Sequence, residues 1–318
     1  MIKRFYTKGR QLLGSLRKAV SRNVSGARKP GPLDHNLIHD LAEYTSFYYS
    51  MQSEYARRRA IELNLIGTGA TFVHDGYCYV CGCPSTFISD FLYSDGSVLE
   101  GKKVPNWRER VVCEGCQLNN RIRGCIHFLE QNMSCTTESS LYIAEQATTL
   151  YQYLKAHYPN LVGSEYFGDQ LPFGATDPKT GFRNESVTQL TFADGSLDFM
   201  LSFDVYEHVP DYMAALRECY RCLKPGGKLL FTVPFNKAAT PTLIRARIDQ
   251  AGNIEHLCEP EYHGDPINTD GCLCFYTFGW ELLAQLKALG FKTAQAHVYW
   301  SREFAYLGHE SILLSAER

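Results

Sequence analysis

The chain has 318 residues, of which 45% are hydrophobic and 21% are charged, a composition typical of a folded protein with one large domain and smaller additions. It contains no run of 18 apolar residues, so the sequence predicts no membrane-spanning helix. The formal net charge is −2, but the first 30 residues hold nine Lys and Arg and no Asp or Glu, so the rest of the chain carries −11. This asymmetry predicts that the basic arm, rather than the acidic body, contacts an anionic partner.

Residues 1–24 place apolar side chains at helical spacing, with basic residues between them. The apolar stripe consists of Ile2, Phe5, Tyr6, Leu12, Leu13, Leu16 and Val20. This pattern predicts a basic amphipathic helix of the kind that lies on an anionic membrane surface. Contact with RNA, an organelle-targeting presequence, a solvated arm and docking on the body of this chain are the alternatives. A linker rich in proline and glycine ends the arm at residue 32.

The N-terminus is basic but lacks the continuous apolar core of a secretory signal. We therefore expect the twelve cysteines to lie in a reducing compartment, where Cys-x-x-Cys pairs indicate a metal site rather than a disulfide. The predicted location is cytoplasmic, with peripheral contact at the inner face of the membrane through the basic arm.

Residues 33–70 form the next predicted segment. Between Asp34 and Leu65, aromatic and apolar residues recur every three or four positions, as on one face of a helix. This spacing predicts a helical segment that packs on the following domain or covers it.

Residues 71–130 carry two Cys-x-x-Cys pairs, with 31 residues between them. The cysteines of the two pairs are Cys78, Cys81, Cys113 and Cys116. Two such pairs predict a small ribbon around a structural zinc ion, since each pair forms a tight turn on one side of a tetrahedral site. Cys83 and Cys125 are alternative ligands.

The residues from Leu118 to Gln131 predict a helix that connects the zinc ribbon to the next domain. Its beginning is polar, with Asn119, Asn120, Arg121 and Arg123. These side chains either join the ribbon to that domain by hydrogen bonds or line a cleft.

Residues 131–318 alternate short apolar runs with amphipathic stretches. The predicted strands are residues 140–144, 160–166, 185–190, 198–205, 228–235, 292–300 and 310–316. The predicted helices are residues 148–157, 211–223 and 278–289. Strand–helix–strand units of this length imply right-handed crossovers between parallel strands. The predicted fold class is therefore α/β.

Two stretches in this domain resemble a known family. The segments LTFADGSLDFMLSFDVYEHV (190–209) and LKPGGKLLFTVP (223–234) resemble the second half of a class I S-adenosylmethionine-dependent methyltransferase. The resemblance to a bacterial group of zinc-ribbon methyltransferase-like proteins covers roughly residues 75–318. It implies a Rossmann-like, seven-stranded sheet with the last strand antiparallel, and S-adenosylmethionine as cofactor.

The same resemblance implies a set of cofactor-binding residues. It assigns Glu165, at the end of the second predicted strand, to the ribose hydroxyls, because a carboxylate accepts two hydrogen bonds. The other implied residues are Glu145, Gln146, Thr148, Tyr166, Ser186, Gln189 and Asp204.

The loop after the first predicted strand departs from the family pattern. Residues 143–149 contain no glycine, whereas this loop is expected to be glycine-rich so that the backbone can approach the cofactor. Either the loop binds the cofactor through its polar side chains, or the cofactor site has been lost.

Three histidines are the candidate catalytic residues. His208 follows the strand 198–205, whose carboxyl end borders the ligand site in an open α/β sheet, and it is the best-placed general base. His256 and His263 belong to an insertion over residues 236–275, which the resemblance assigns to the acceptor pocket. With Asp265 they form either a metal site of two histidines and a carboxylate or an acid–base group, and a turn-rich structural loop is the remaining interpretation. His208, likewise, either acts as a base or only shapes the pocket.

These observations predict methyl transfer to an oxygen or nitrogen of a small-molecule or glycan acceptor, at the membrane surface if the arm binds lipid. RNA methylation, with the zinc ribbon as the substrate module, is the second hypothesis, and the acidic body argues against it. A catalytically inactive scaffold is the third, because of the glycine-poor loop.

Overall fold

The computed structural model describes residues 30–264, 267 and 270–318. The predicted amphipathic arm over residues 1–24 and the carboxylate of Asp265 lie outside the described residues. Among the helices that are described, none has both the length and the apolarity needed to cross a bilayer.

The secondary-structure elements are numbered in chain order. The strands are β1 (Asn36–Ile38), β2 (Thr71–Cys78), β3 (Cys83–Asp90), β4 (Val98–Leu99), β5 (Lys102–Lys103), β6 (Val111–Cys113), β7 (Leu141–Ile143), β8 (Leu161–Gly163), β9 (Leu197–Phe203), β10 (Leu223–Thr232), β11 (Leu243–Ile244), β12 (Ala246–Ile248), β13 (Ile254–His256), β14 (Tyr262–His263), β15 (Cys272–Leu273), β16 (Tyr276–Thr277), β17 (Thr293–Ser301) and β18 (Tyr306–Glu317). The helices are α1 (Leu41–Ser50), α2 (Gln52–Leu65), α3 (Trp107–Arg110), α4 (Asn120–Gln131), α5 (Thr149–His157), α6 (Tyr212–Cys222) and α7 (Glu281–Ala288).

A seven-stranded sheet organises the α/β part of the chain, in the order β1-β17-β18-β10-β9-β7-β8. Strands β8, β7, β9 and β10 pair in parallel, and the last strand, β18, runs antiparallel to β10. Six of the seven residues of β9 are buried, as expected for a parallel strand covered on both faces. The predicted seven-stranded α/β sheet with an antiparallel last strand is confirmed.

The predicted strand over residues 185–190 is wrong. Ser186 and Gln189 instead close a tight turn, with a backbone hydrogen bond of 2.9 Å from the Gln189 amide to the Ser186 carbonyl. The buried carboxylate of Glu185 accepts hydrogen bonds from the Arg183 side chain (2.8 Å) and the Thr191 amide (3.1 Å), so the polar contacts of this segment are local.

The seventh strand of the sheet is β1, which forms the edge opposite β8. β1 lies within the segment predicted as helical and pairs antiparallel with β17. Helix α1 begins three residues after β1, where the Asp40 side chain accepts a hydrogen bond from the Glu43 amide. The period of the apolar residues therefore locates α1 and α2 but misses a strand of three residues.

The beginning, the buried face and the end of helix α6, between the parallel strands β9 and β10, follow from neighbouring residues. The Asp211 carboxylate accepts a hydrogen bond from the Ala214 amide (2.8 Å) and caps the helix. Its inward face buries Ala215, Leu216 and Cys219. The helix ends at Cys222, and the Lys-Pro-Gly-Gly sequence follows within β10, where Gly226 has a φ of +79° and the pairing of β10 with β9 shifts in register.

The chain divides into two compact units. The sheet unit comprises His35–Gln52, Cys135–Val298 and Ile312–Arg318, and the ribbon unit comprises residues 30–34, Ser53–Ser134 and Tyr299–Ser311. These divisions differ from the predicted domain bounds at residues 32, 70 and 130, because segments distant in sequence complete each unit.

Within the ribbon unit, β2, β3 and β6 form a three-stranded sheet, and the polar start of α4 is tied to it. Asn119 caps α4, and the amide of the buried Asn120 donates hydrogen bonds to the carbonyls of Trp107 (3.1 Å) and Leu307 (2.7 Å). Arg121 pairs with Glu109 at 2.9 Å. These hydrogen bonds lie within the ribbon unit, and the two predicted roles, joining the ribbon to the next domain or lining a cleft, stay predictions.

His297 on β17 predicts an acid-dependent loss of stability. Burial, reinforced by the charges of His35 and His39, lowers the pKa of His297 to about 3. The unfolded chain, with a histidine pKa near 6.5, therefore binds more protons below that pH, so the stability present above pH 6.5 is lost as the pH falls toward 3. We expect this residue to lower the free energy of unfolding by about 2 kcal/mol between pH 7 and pH 5.

Urea unfolding at pH 7 and pH 5 measures this effect. His297→Gln cannot titrate in this range, so its free energy of unfolding is expected to change less between pH 7 and pH 5, by the same amount. An equal change in the free energy of unfolding of the two proteins would contradict the prediction.

Candidate functional site

The carboxyl ends of β7 and β8 hold the residues predicted to bind a cofactor. Glu165 follows β8 and is half-buried, and its Oε1 accepts hydrogen bonds from the backbone amides of Gln146 and Ala147, both at 2.6 Å. These charge-assisted bonds fix the carboxylate against the loop that follows β7. The structure thus brings together Glu165 and the loop residues that the sequence placed in one site.

The glycine-poor loop has a backbone that needs no glycine. None of the residues 143–149 has a positive φ. Thr148 caps α5 by accepting a hydrogen bond from the Tyr151 amide (3.1 Å), and the Gln146 side chain accepts one from the Arg183 amide (2.9 Å). The half-buried Glu145 lies at the start of this loop.

A glycine is required on the neighbouring strand instead. A Cβ on Gly163 of β8 would lie 2.7 Å from the Glu145 carbonyl oxygen and 2.4 Å from the Tyr151 ring. The close approach of the two backbones therefore depends on Gly163 rather than on the loop.

The remaining predicted cofactor residues are spread over three segments. Asp204, immediately after β9, adopts a φ of +55° and accepts a hydrogen bond from the Thr232 hydroxyl (2.8 Å). Tyr166 is 68% exposed. Ser186 and the exposed Gln189 belong to the turn that replaces the predicted strand, where the Ser186 hydroxyl lies 2.8 Å from that of Thr188.

Two of the three predicted catalytic histidines meet. His208 ends a 3₁₀ turn (Tyr206–His208) after β9, and His263 lies on β14; their ring centroids are 5.0 Å apart, edge to face. One nitrogen of each imidazole and the Sγ of Cys274 lie within 4.8 Å of one another. Glu207 Oε1 lies 3.4 Å from His263 Nδ1 and 3.6 Å from His208 Nε2. We call Glu207, His208, His263 and Cys274 the histidine cluster.

Backbone contacts hold the insertion against the turn after β9. The His208 Nδ1–H donates to the Leu273 carbonyl (2.9 Å), and the Phe275 amide donates to the Glu207 carbonyl (2.7 Å). The Cys274 amide donates to the Glu261 carbonyl (2.8 Å). The positions of the histidine cluster are therefore fixed by main-chain bonds as well as by side-chain packing.

The charges in the histidine cluster are strongly coupled. The Cys274 thiol and the Glu207 carboxylate raise the pKa of His263 to about 11. Burial works to lower the pKa of His208, but contacts with Cys274 and Glu207 raise it overall. Burial raises the pKa of Glu207, whereas the two imidazoles lower the pKa of Cys274 despite its burial. The arrangement favours positive charge on the His263 imidazole.

His256 lies elsewhere in the insertion. It is exposed at the end of β13, in a two-stranded pairing with β12 where it stands opposite Ala246. The sequence pattern does not predict Glu207 and Cys274 as members of the histidine cluster. Cys274 is 67 residues from Glu207, and no sequence spacing connects them; the only local signal was the Glu-His dipeptide after β9.

The four cysteines of the two pairs form one cluster in the ribbon unit. Cys78 Sγ lies 3.7 Å from Cys116 Sγ, Cys81 Sγ lies 3.7 Å from Cys113 Sγ, and all four atoms lie within 4.8 Å of one another. A tetrahedral zinc ion with Zn–S bonds near 2.3 Å requires sulfur atoms about 3.8 Å apart. The donor set and its spacing therefore fit zinc.

Glycines shape the two cysteine turns. Gly82 has a φ of +68°, and a Cβ on Gly115 would lie 2.9 Å from Cys81 Sγ. The alternative ligands are not in this cluster, since Cys83 Sγ contacts the Ser85 hydroxyl at 3.8 Å and Cys125 is buried on α4.

Comparison with known proteins agrees with the predicted fold class. Residues 148–231 match the family model of a methyltransferase domain, a range that runs from the Thr148 cap into β10. This range lies within the methyltransferase domain predicted over residues 131–318. The match supports the predicted S-adenosylmethionine cofactor.

Short stretches of the chain are similar to curated methyltransferases. An arsenite methyltransferase of Aquipseudomonas alcaligenes is 38% identical over 68 residues, which cover 21% of this chain and 19% of that protein. A demethylmenaquinone methyltransferase of Listeria welshimeri is 51% identical over 44 residues, covering 14% of this chain and 19% of the relative. The chain thus spans about a fifth of the length of the curated relatives it matches.

Similar solved structures cover more of the chain at lower identity. A 1,6-didemethyltoxoflavin-N1-methyltransferase of Burkholderia thailandensis, solved with S-adenosylhomocysteine, is 15% identical, covers 62% of this chain and 77% of its own, and has a TM-score of 0.40. An S-adenosylmethionine-dependent methyltransferase of Mesorhizobium loti is 16% identical, covers 62% and 100%, and has a TM-score of 0.37.

Proposed function

We propose that the protein is an S-adenosylmethionine-dependent methyltransferase that binds its cofactor beside Glu165. The observation that carries this proposal is the carboxylate of Glu165, held by two loop amides at the carboxyl end of a parallel strand, within the residues that match a methyltransferase domain. The cofactor supplies an electrophilic methyl group on sulfur. Glu165 would bind the ribose hydroxyls, and the loop of Glu145, Gln146 and Thr148 would border the cofactor.

We propose an oxygen or nitrogen of a small molecule or glycan as the methyl acceptor. The support is the −11 net charge outside the first 30 residues, which disfavours a polyanionic RNA substrate. A hydroxyl acceptor must lose a proton, which requires a base. Glu207 and His208 of the histidine cluster follow β9, which lies next to β7 in the sheet. His208 and His263 are therefore the proposed acceptor-side residues.

Two further parts of the proposal concern the zinc ribbon and the basic arm. We propose that the four cysteines of the ribbon unit hold a structural zinc ion, on the support of their sulfur spacing. We also propose that residues 1–24 bring the enzyme to an anionic membrane surface. The support there is composition alone, since the arm lies outside the described residues.

Calorimetric titration with S-adenosylhomocysteine tests the cofactor site. In Glu165→Gln the amide oxygen can still accept the loop hydrogen bonds, but the charge and one acceptor are lost, so we expect affinity to fall by roughly 10- to 100-fold. Asp169→Asn is the matched control, because it removes an exposed negative charge four residues away. Its affinity should equal that of the wild type.

The outcome separates the enzyme from the inactive scaffold. Binding by the wild type that Glu165→Gln weakens and Asp169→Asn does not would support the proposed cofactor site. Absence of binding to folded wild-type protein would reject it and favour the scaffold hypothesis.

A further inference from the structure

The most unusual group in the sheet unit is the carboxylate of Glu207. The residue is 0% exposed, and neither carboxylate oxygen has a hydrogen bond of normal geometry from a described residue. An ionised carboxylate that is buried without compensation costs several kcal/mol, so such a group is either protonated or paired with a cation. The neighbouring imidazoles, at 3.4 and 3.6 Å, lie too far for strong hydrogen bonds.

These distances fit a shared ion better than a direct contact. Two ligand atoms bound at about 2.0 Å in a tetrahedral site lie about 3.3 Å apart. The separations from Glu207 Oε1 to His263 Nδ1 and to His208 Nε2 are close to that value. Cys274 adds a sulfur atom to the same group.

The surroundings of His208 also resemble those of a metal ligand. Its Nδ1–H donates to the Leu273 carbonyl, which fixes the ring and leaves Nε2 facing Glu207. Ligating histidines commonly have their second nitrogen bound in this way. The His263 side chain is 32% exposed, so an ion here would be accessible from solvent.

From this geometry we propose that the histidine cluster is a second metal site. His208, His263 and Cys274 bind a Zn²⁺ ion, and Glu207 either supplies an oxygen as the fourth ligand or neutralises the charge of the ion. Two nitrogens, one sulfur and one oxygen are all ligands that zinc accepts, whereas calcium and magnesium prefer oxygen alone. The site is separate from the four cysteines of the ribbon unit, and it does not depend on the proposed methyl transfer.

Zinc analysis of the full-length protein tests the proposal. After incubation with Zn²⁺ and dialysis, we expect two zinc ions per chain in the wild type. His263→Gln, at a partly exposed position, and Cys274→Ala are each expected to retain one. Cys272→Ser is the matched control, because it changes a nearby cysteine outside the histidine cluster and should retain two.

Substitution with Co²⁺ gives a second measurement on the same proteins. The cobalt absorption of the wild type should contain a component that His263→Gln lacks and that Cys78→Ser, in the ribbon unit, retains. A wild type with a single zinc ion that Cys78→Ser loses would overturn the proposal and leave the histidine cluster as an acid–base group. S-adenosylhomocysteine titration of each variant separates this result from a failure of the cofactor site.

Discussion

Replacing Cys113 by serine is expected to unfold the ribbon unit. Cys113 is 0% exposed and is one of four sulfur atoms within 4.8 Å, so the substitution removes a ligand from the centre of the unit. In small zinc domains, metal binding supplies on the order of 10 kcal/mol of folding free energy. A three-stranded sheet of this size has too small an apolar core to replace that contribution.

The expected result is the loss of one zinc ion per chain and rapid proteolysis within residues 71–131. Cys83→Ser is the matched control, because Cys83 lies next to the site and is outside the cysteine cluster. Metal analysis and limited proteolysis of the two variants measure the effect. If Cys113→Ser kept its zinc and its protease resistance, the four cysteines would not be a structural metal site.

Replacing Arg123 by methionine is expected to cause the largest loss of stability among single changes away from the cysteines. The Arg123 side chain is fully buried on α4, and its guanidinium lies 4.3 Å from the centre of the Phe87 ring. It donates hydrogen bonds to the carbonyls of Phe304 (2.6 Å) and Ala305 (3.0 Å). Methionine fills much of the space but leaves these buried carbonyls without their donor.

We expect Arg123→Met to lower the free energy of unfolding by on the order of 3 kcal/mol. Arg121→Met is the control on the same helix, since Arg121 pairs with Glu109 at a partly exposed position and should contribute less than about 1 kcal/mol. Urea unfolding of both variants measures the difference. Equal losses would mean that the buried carbonyls find other partners.

Local chemistry explains the parts of the fold that could be predicted from the sequence. The apolar run of β9 and the Asp211 and Thr148 caps act over a few residues, so their structures follow from neighbouring side chains. The two Cys-x-x-Cys pairs carry their own turn geometry, and they meet as predicted.

The two errors have different causes. β1 is a strand because β17 offers it an edge, and residues 185–190 form a turn because the Glu185 carboxylate is bound locally. Each segment is short, so its own propensity is weak compared with the hydrogen bonds it gains from the surrounding structure.

The features of the candidate site also divide into those that follow from local sequence and those that depend on distant residues. The sequence by itself determined the α/β fold and the meeting of the two cysteine pairs, because a buried strand and a metal-binding turn are each encoded within a few residues. Only the tertiary structure decided that the loop after β7 lies against Gly163 and that Cys274 joins Glu207 and two histidines. Such contacts join elements about 18 to 67 residues apart, and the packing of the folded chain, rather than any local pattern, specifies them.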